Sequence, residues 1–282
     1  MADDEHTIAE RIRGNLESFT ASEKRAAHAL LAHYPMAGLE TVAEFAARAG
    51  VSAPSVLRFV SRLGFVGYPD FQRALREELE AQLKTPLMKA SPEPPGARGD
   101  RLGRFAAALR ANLSETFAHL PDQEFEAATA LIADRKRRVH LVGGRFTDAL
   151  AAYMAAHLRI LRPGVVHLSG QADTRRDQLL DIARHDVLVV FDVRRYQENM
   201  VALAAEVARR GGKVVLVTDQ WLSPVARSAT HILSARIEAP SNWDSNVALL
   251  ALVEALVAAV TERLWPEARR RIEEIERLRQ SL

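Results

Sequence analysis

Residues 41–63 read TVAEFAARAGVSAPSVLRFVSRL, and the spacing of their apolar positions predicts two helices joined by a tight turn. In the first, Thr41 to Ala49, the residues Val42, Phe45 and Ala46 share a face, and Gly50-Val51-Ser52 ends it. In the second, Ala53 to Leu63, Val56, Leu57, Val60 and Leu63 supply an apolar face to hold the helix to its domain. Ser52 is placed to cap that helix, and Pro54 falls in its first turn, where no N–H is needed. This is the pattern of a helix-turn-helix, whose second helix enters the DNA major groove with the residues near its start facing base edges. Ser52, Ser55 and Arg58, with Arg62 one turn further on, are the candidates for that contact. Between Thr41 and Arg76, the arginines 48, 58, 62, 73 and 76 are opposed only by Glu44 and Asp70, whereas the whole chain has 38 Lys plus Arg against 36 Asp plus Glu. Positive charge is concentrated where a phosphate backbone would lie.

On either side of the motif, residues 7–84 are rich in Ala, Leu, Glu and Arg at helical spacing, so the first domain is expected to be all-α. Thr85 to Asp100, TPLMKASPEPPGARGD, resists both helix and strand through its prolines and glycines. The expected division is a helix-turn-helix domain over 1–85, a linker over 86–100 and a second domain over 101–282. In that second domain, short apolar runs at Val139–Val142, Val165–Leu168, Val187–Phe191, Val214–Thr218 and His231–Leu233 alternate with helix-length stretches. Such runs are parallel strands buried on both faces and joined by helical crossovers. The fold class expected is therefore multidomain, an all-α domain followed by a doubly wound α/β parallel-sheet sandwich. Val247 to Val260 is the most apolar stretch, but it contains Glu254 and is too short to cross a bilayer, so it reads as a buried or subunit-interface helix. The charged stretch from Glu262 to Leu282 carries an apolar seam of Ile272, Ile275 and Leu278, expected to pack on its own domain or on a partner.

Composition sets outer bounds. With 282 residues, 48% hydrophobic and 26% charged, the chain suits a soluble protein of two domains. It has no cysteine, which excludes disulfides, Cys-ligated zinc, iron–sulfur clusters and thiol catalysis. The acidic start MADDEHTIAE lacks the basic and apolar segments of a secretory signal, so a cytoplasmic location and no membrane attachment are expected.

The stretch from Phe19 to Leu79 resembles the N-terminal DNA-binding domain of RpiR-type (MurR/RpiR) bacterial transcriptional regulators. The parts that carry the resemblance are Ser22-Glu23-Lys24-Arg25, Ala46 through Phe59, and Leu63 through Phe71. That resemblance implies a C-terminal sugar-isomerase (SIS) domain binding a phosphosugar effector. Residues VHLVG, the helix from Asp148 to Leu158, RGGKVVLVTD and SPVARSATHIL look like such a domain. Ligands of open α/β sheets sit beyond the carboxyl ends of the strands.

After the first strand the family's G-x-G-x-S becomes Gly143-Gly144-Arg145-Phe146-Thr147, which keeps a hydroxyl and replaces the second glycine by a cation. After the third, the phosphate-holding S-x-S-G-x-T becomes Asp192-Val193-Arg194-Arg195-Tyr196-Gln197, with its serines, glycine and threonine gone. Two readings follow. Gly143, Gly144, Arg145, Thr147, Arg194, Arg195 and Tyr196 line a cationic pocket for an anionic effector, or the arginines are structural and pair with Asp148 and Asp192. Ser241 to Ser245 either reaches the effector pocket or dimer seam, or caps the following helix through Asp244 or Ser245 with Trp243 as packing; Trp221 reads as core or interface.

The nine histidines are scattered, with His140, His167 and His231 in or beside predicted strands, and neither a catalytic constellation nor metal-ligand spacing is visible. No catalytic residue, metal site or cofactor is expected. The function expected is a regulator binding double-stranded operator DNA as a homodimer or homotetramer and sensing a small effector, a sugar phosphate or another anion. The alternatives are an isomerase-like phosphosugar enzyme and a ligand-independent DNA-binding protein.

Overall fold

The computed structural model describes residues 7–89, 100–170 and 172–281. The first part is helical throughout: α1 (Ile8–Asn15), α2 (Ala21–Ala32), α3 (Met36–Leu39), α4 (Val42–Ala49), α5 (Ala53–Arg62) and α6 (Tyr68–Leu83). Three of these helices begin with the same device, a threonine whose hydroxyl accepts from the backbone of a glutamate three residues on while that carboxylate reaches back: Thr7–Glu10, Thr20–Glu23 and Thr41–Glu44. Phe45, Val56, Phe59, Val60, Phe71 and Leu75 are wholly buried in one cluster, so α4, α5 and α6 are held together by large apolar side chains.

Gly50 closes α4 at φ 62°, its N–H reaching the carbonyls of Ala46 and Ala47, and sets the angle between α4 and α5. Open space surrounds the position where a Cβ would stand, so Gly50→Ala is expected to cost only the left-handed backbone penalty of about 1–2 kcal/mol, read as a lowered midpoint in thermal unfolding.

The second part comprises α7 (Arg101–His119), α8 (Asp122–Ala133), β1 (Val139–Gly143), α9 (Asp148–Leu161), β2 (Val165–His167), α10 (Ala172–Gln178), β3 (Val187–Phe191), α11 (Glu198–Arg209), β4 (Lys213–Asp219), β5 (His231–Ala235) and α12 (Val247–Ser281). The sheet is parallel, in the order β2-β1-β3-β4-β5. Its order reverses between β1 and β3, which opens a crevice at their carboxyl ends. Alternate strand residues feed two cores. Val139, Leu141, Val187 and Val189 pack with α8, α9 and α12, while Val142, Leu188 and Val190 pack with α11 on the other face. The doubly wound sandwich read from the apolar runs is what the chain forms.

One element differs from the sequence reading. The apolar and charged C-terminal stretches form a single 35-residue helix that runs through Pro266. Proline removes one N–H from the ladder, but Leu264 and Ala268 on either side are both buried in the same cluster as Leu256 and Val260, so packing carries the helix across the gap. Ile272 continues that packing on the chain's own domain, and Leu278 is exposed. No helix among the described residues is long and apolar enough to cross a membrane.

The two parts meet through named polar contacts. The Thr7 hydroxyl donates to the Gln220 carbonyl at 3.2 Å, and Arg236 pairs with Glu10 at 2.8 Å and Glu115 at 3.2 Å.

Candidate nucleic-acid interface and strand-end cleft

Helix α5 buries Ser55, Val56, Phe59 and Val60 and turns Leu57, Arg58, Ser61 and Arg62 outward, with Ser52 and Pro54 exposed at its start. Arg58 Nη2 donates to Ser55 Oγ at 3.0 Å, and Arg62 Nη2 donates to the Ser18 carbonyl at 2.9 Å. Three sequence expectations change. Ser55 is buried, so it orients Arg58 instead of meeting a ligand. Ser52 occupies the N-cap position, but its hydroxyl lies 3.0 Å from that of Ser55 and makes no capping bond. Leu57 does not hold the helix to its domain: it is 44% exposed, because Val56, Phe59, Val60 and Leu63 already fill the inward stripe. Around this face Arg48 is tied to Glu40 and Arg73 to Asp70, while Arg76 is exposed.

At the carboxyl ends of the strands, the β1–α9 turn is closed on itself. The N–H of Gly144 donates to the Phe191 carbonyl at 3.1 Å and to Thr147 Oγ1 at 2.9 Å; the buried Thr147 hydroxyl donates to the Phe191 carbonyl at 2.7 Å. Gly143 donates weakly to Asp148 Oδ1 at 3.4 Å, and a Cβ on it would lie 2.4 Å from the Asp148 nitrogen, so glycine is required by close packing. Gly143, Gly144 and Thr147 thus have their polar groups engaged within the protein. Arg145 is exposed and stacks on Phe146, 5.2 Å from the ring centroid.

The β3 loop carries a buried charge network, and its partners are not the ones read from the sequence. Arg194 is buried; it pairs with Asp244, to which Nε donates at 3.1 Å, and lies 4.3 Å over the ring of the buried Trp221. Its Nη1 donates to the Ala81 carbonyl in the last turn of α6 at 2.6 Å. Asp192 instead accepts the Ser223 hydroxyl and the Gln197 N–H. Asp219 accepts the Arg194 N–H at 2.6 Å, the Tyr196 hydroxyl at 2.7 Å and the Trp221 N–H at 3.0 Å. Tyr196 is thereby turned to the network, and Arg195 is exposed. In the loop before α12, the Ser245 hydroxyl accepts from the Val247 N–H at 3.2 Å, while Trp243 is exposed and meets Phe146 edge to face at 5.8 Å.

Burial pushes the Asp192 carboxyl up to about 7, the neighbouring Asp219 charge adding to it, and burial pushes Asp219 up to about 6. In the helical part, burial raises Glu78 to about 7 against the pull of the Tyr34 hydroxyl and the Ile8 N–H. A carboxyl with a raised folded pKa binds its proton more tightly in the folded state. Its stabilising effect is full below the ordinary carboxylate range and is lost as pH rises through about 6 to 7. His140, held below its ordinary value by burial, works in the opposite sense through the lower part of that window. Asp192→Asn is therefore expected to flatten the fall in melting temperature between about pH 5 and pH 8; an unchanged slope in a pH series of thermal melts would show that Asp192 titrates normally.

Beside the β3 loop lies a cleft of about 240 Å3 whose walls include Lys84, Lys89, Phe146, Arg194, Arg195, Trp243 and Asp244. Among the described residues lining it, four cations meet one carboxylate. Lys84, Lys89 and Phe146 were not picked out from the sequence. The lysines lie at the edge of the assigned linker, and only the tertiary fold brings them to the strand ends. The three histidines in the strands take carboxylate partners, His140 with Asp186, His167 with Asp148 and His231 with Glu124.

Comparison with known proteins accounts for both halves. A helix-turn-helix domain model of the rpiR family matches residues 6–82, and a SIS domain model matches residues 131–259. The chain joins an rpiR-family helix-turn-helix domain to a SIS domain. Over 263 residues it is 26% identical to the HTH-type transcriptional regulator HexR of Escherichia coli K12, covering 91% of this chain and 88% of that one. HexR of Pseudomonas aeruginosa PAO1 is likewise 26% identical over 91% of this chain and 90% of its own. The crystal structure of the sugar isomerase domain of an RpiR transcription factor from Sphaerobacter thermophilus is 27% identical, covering 64% of this chain and 99% of that domain with a TM-score of 0.59. Vibrio vulnificus NanR, solved with ManNAc-6P, shares the fold over 96% of this chain and 97% of its own at 19% identity, TM-score 0.55. Within this frame, the β3 loop carries the charge network described above, and the β1–α9 turn is tied to the end of β3.

Proposed function

We propose that this protein is an RpiR-type transcriptional regulator that binds double-stranded operator DNA through α5 and senses a small anionic effector, a sugar phosphate or another anion, in its SIS domain. The observation that carries the reading is the outward face of α5, where Arg58, Arg62, Leu57 and Ser61 stand clear of the core behind a rigid glycine turn. Arg58 and Ser52 meet base edges, Leu57 offers an apolar contact to a thymine methyl, and Arg62 meets phosphate. One short helix reads few bases, so the protein acts as a homodimer or homotetramer on paired half-sites, assembled through residues 101–282, with residues 1–85 as the DNA-binding part and 86–100 as the link. It works in the cytoplasm, where operator DNA lies.

The effector's place is the strand-end cleft, where the excess of lysine and arginine suits an anion and the Phe146–Trp243 pair suits a ring face. An enzymatic role is not proposed, because the Gly144 N–H and the Thr147 hydroxyl of the β1–α9 turn are engaged with the Phe191 carbonyl at the end of β3 and are not presented to a phosphosugar for isomerisation. The test is binding of the purified protein to its own upstream intergenic DNA, with random competitor and over a salt series. Competitor-resistant binding supports the reading; loss to random DNA, together with turnover of a phosphosugar, would replace it with an isomerase-like one.

A further inference from the structure

Arg194 is placed unlike any other cation of the cleft. One edge of its guanidinium, Nε and Nη2, grips Asp244 on the cleft wall, and Nη1 donates to the Ala81 carbonyl in the last turn of α6 at 2.6 Å. Its flat face lies on Trp221, and its own N–H is fixed to Asp219. A single rigid side chain therefore touches the strand-end cleft and the helical domain at once. Helix α6 is in turn locked to the operator-facing helix α5, since Phe71 and Leu75 are buried with Phe59 and Val60 in one cluster. Lys89 is the second cation on Asp244, so one carboxylate is shared by two positive groups in a cleft that also holds Lys84 and Arg195.

We propose that Arg194 couples the effector cleft to the DNA-binding domain, and that an anion entering the cleft acts by taking the place of Asp244 on the guanidinium. The inference rests on the cleft being the effector site. An anionic oxygen bound by Lys84, Lys89 and Arg195 lies beside the Asp244 edge of Arg194 and competes for it. A planar fork that turns toward a new partner with Nε and Nη2 cannot keep Nη1 on the Ala81 carbonyl, because its donors are held at fixed angles in one plane. Loss of that bond frees the end of α6, and the helical domain changes its position as a unit. Arg194 is here a positioning residue: it acts on α5 through α6.

Arg194→Lys separates this role from simple charge. A lysine keeps the positive charge but has one nitrogen, so it cannot hold Asp244 by two donors and reach Ala81 as well. Because the chain has no cysteine, Ala47→Cys on α4 and Ala205→Cys on α11, both exposed, accept spin labels in the full-length protein. The distance between them is then read by pulsed EPR, with inorganic phosphate and hexose phosphates as probes. The labelled protein with Arg194 intact is expected to give one narrow distance that broadens or moves when a probe binds. In the Arg194→Lys form the distribution is expected to be broad from the start and indifferent to probe, while calorimetry still detects probe binding, weakened by loss of the two-donor contact but retained by Lys84, Lys89 and Arg195. Should Arg194→Lys not fold, Asp244→Asn serves instead and is expected to broaden the distance without probe. The coupling is overturned if the Arg194→Lys distribution matches the parent's and moves with it, or if probes leave the parent's distance unchanged. The measurement needs no DNA, so failure to bind an operator refutes the regulator reading independently of this outcome.

Discussion

Arg58→Ala is expected to weaken operator binding about 5- to 150-fold, corresponding to about 1–3 kcal/mol for a side chain that reads a base edge. Arg58 is exposed on α5, and the Ser55 hydroxyl that accepts from it keeps the Ser52 hydroxyl as a partner, so the melting temperature is expected to hold. The loss should fall on specific DNA and much less on random competitor, because a base contact distinguishes sequences and a phosphate contact does not. Arg62→Ala is the control: it is expected to weaken both kinds of DNA alike and to reduce the slope of log affinity against log salt by about one. Gel-shift or anisotropy titrations of both variants over a salt series separate the two roles. Unchanged operator affinity in Arg58→Ala would remove it from the recognition set and leave Leu57 and Ser61 as the outward residues to test.

The contrast between Arg58 and its neighbours shows how far the sequence could be read. The apolar runs gave the strands because a parallel strand buried on both faces must be apolar at every position, a local property. The glycine turn of the helix-turn-helix was legible for the same reason, since Gly50 adopts a backbone that other residues resist. What a side chain does once it is there depends on residues far along the chain. Leu57 reads as inward because it is apolar, and it faces outward because Phe59 takes the inward place. Asp148 and Asp192 read as partners of Arg194 because they lie in nearby loops, whereas it pairs with Asp244, 50 positions away, and reaches back 113 positions to Ala81. No local pattern encodes either separation. The cleft suffers most from this, since it is assembled from the segment after α6, the loops after β1 and β3 and the approach to α12.

A second large effect is expected at a residue that carries no motif. Arg162→Ala should destabilise the SIS domain by about 3 kcal/mol or more, lowering its melting temperature by about 10 °C. Arg162 follows α9 and is among the largest fully buried side chains, at 1% exposure. Its guanidinium donates to the carbonyls of Ile132 and Asp134 at the end of α8, of Arg137 before β1 and of Pro163 before β2. It thus serves as the C-terminal cap of α8 and ties that helix to two strand approaches, a task the backbone cannot perform once α8 has ended. Burial pulls its pKa below the ordinary arginine value, with Asp134 opposing the shift and Arg135 adding to it, as expected for a cation whose hydrogen-bond partners are carbonyl dipoles. Truncation takes that donor from the carbonyls of Ile132, Arg137 and Pro163, while Asp134 keeps the Arg137 N–H. Arg162→Lys should recover little, because one ammonium cannot reach acceptors spread around a planar fork. Operator affinity measured well below the lowered melting temperature should be unchanged, since α5 and its cluster lie in the other domain. A melting temperature within about 2 °C of the parent, where a loss near 3 kcal/mol is expected, would mean that water replaces the guanidinium and that the α8 terminus is open to solvent in solution.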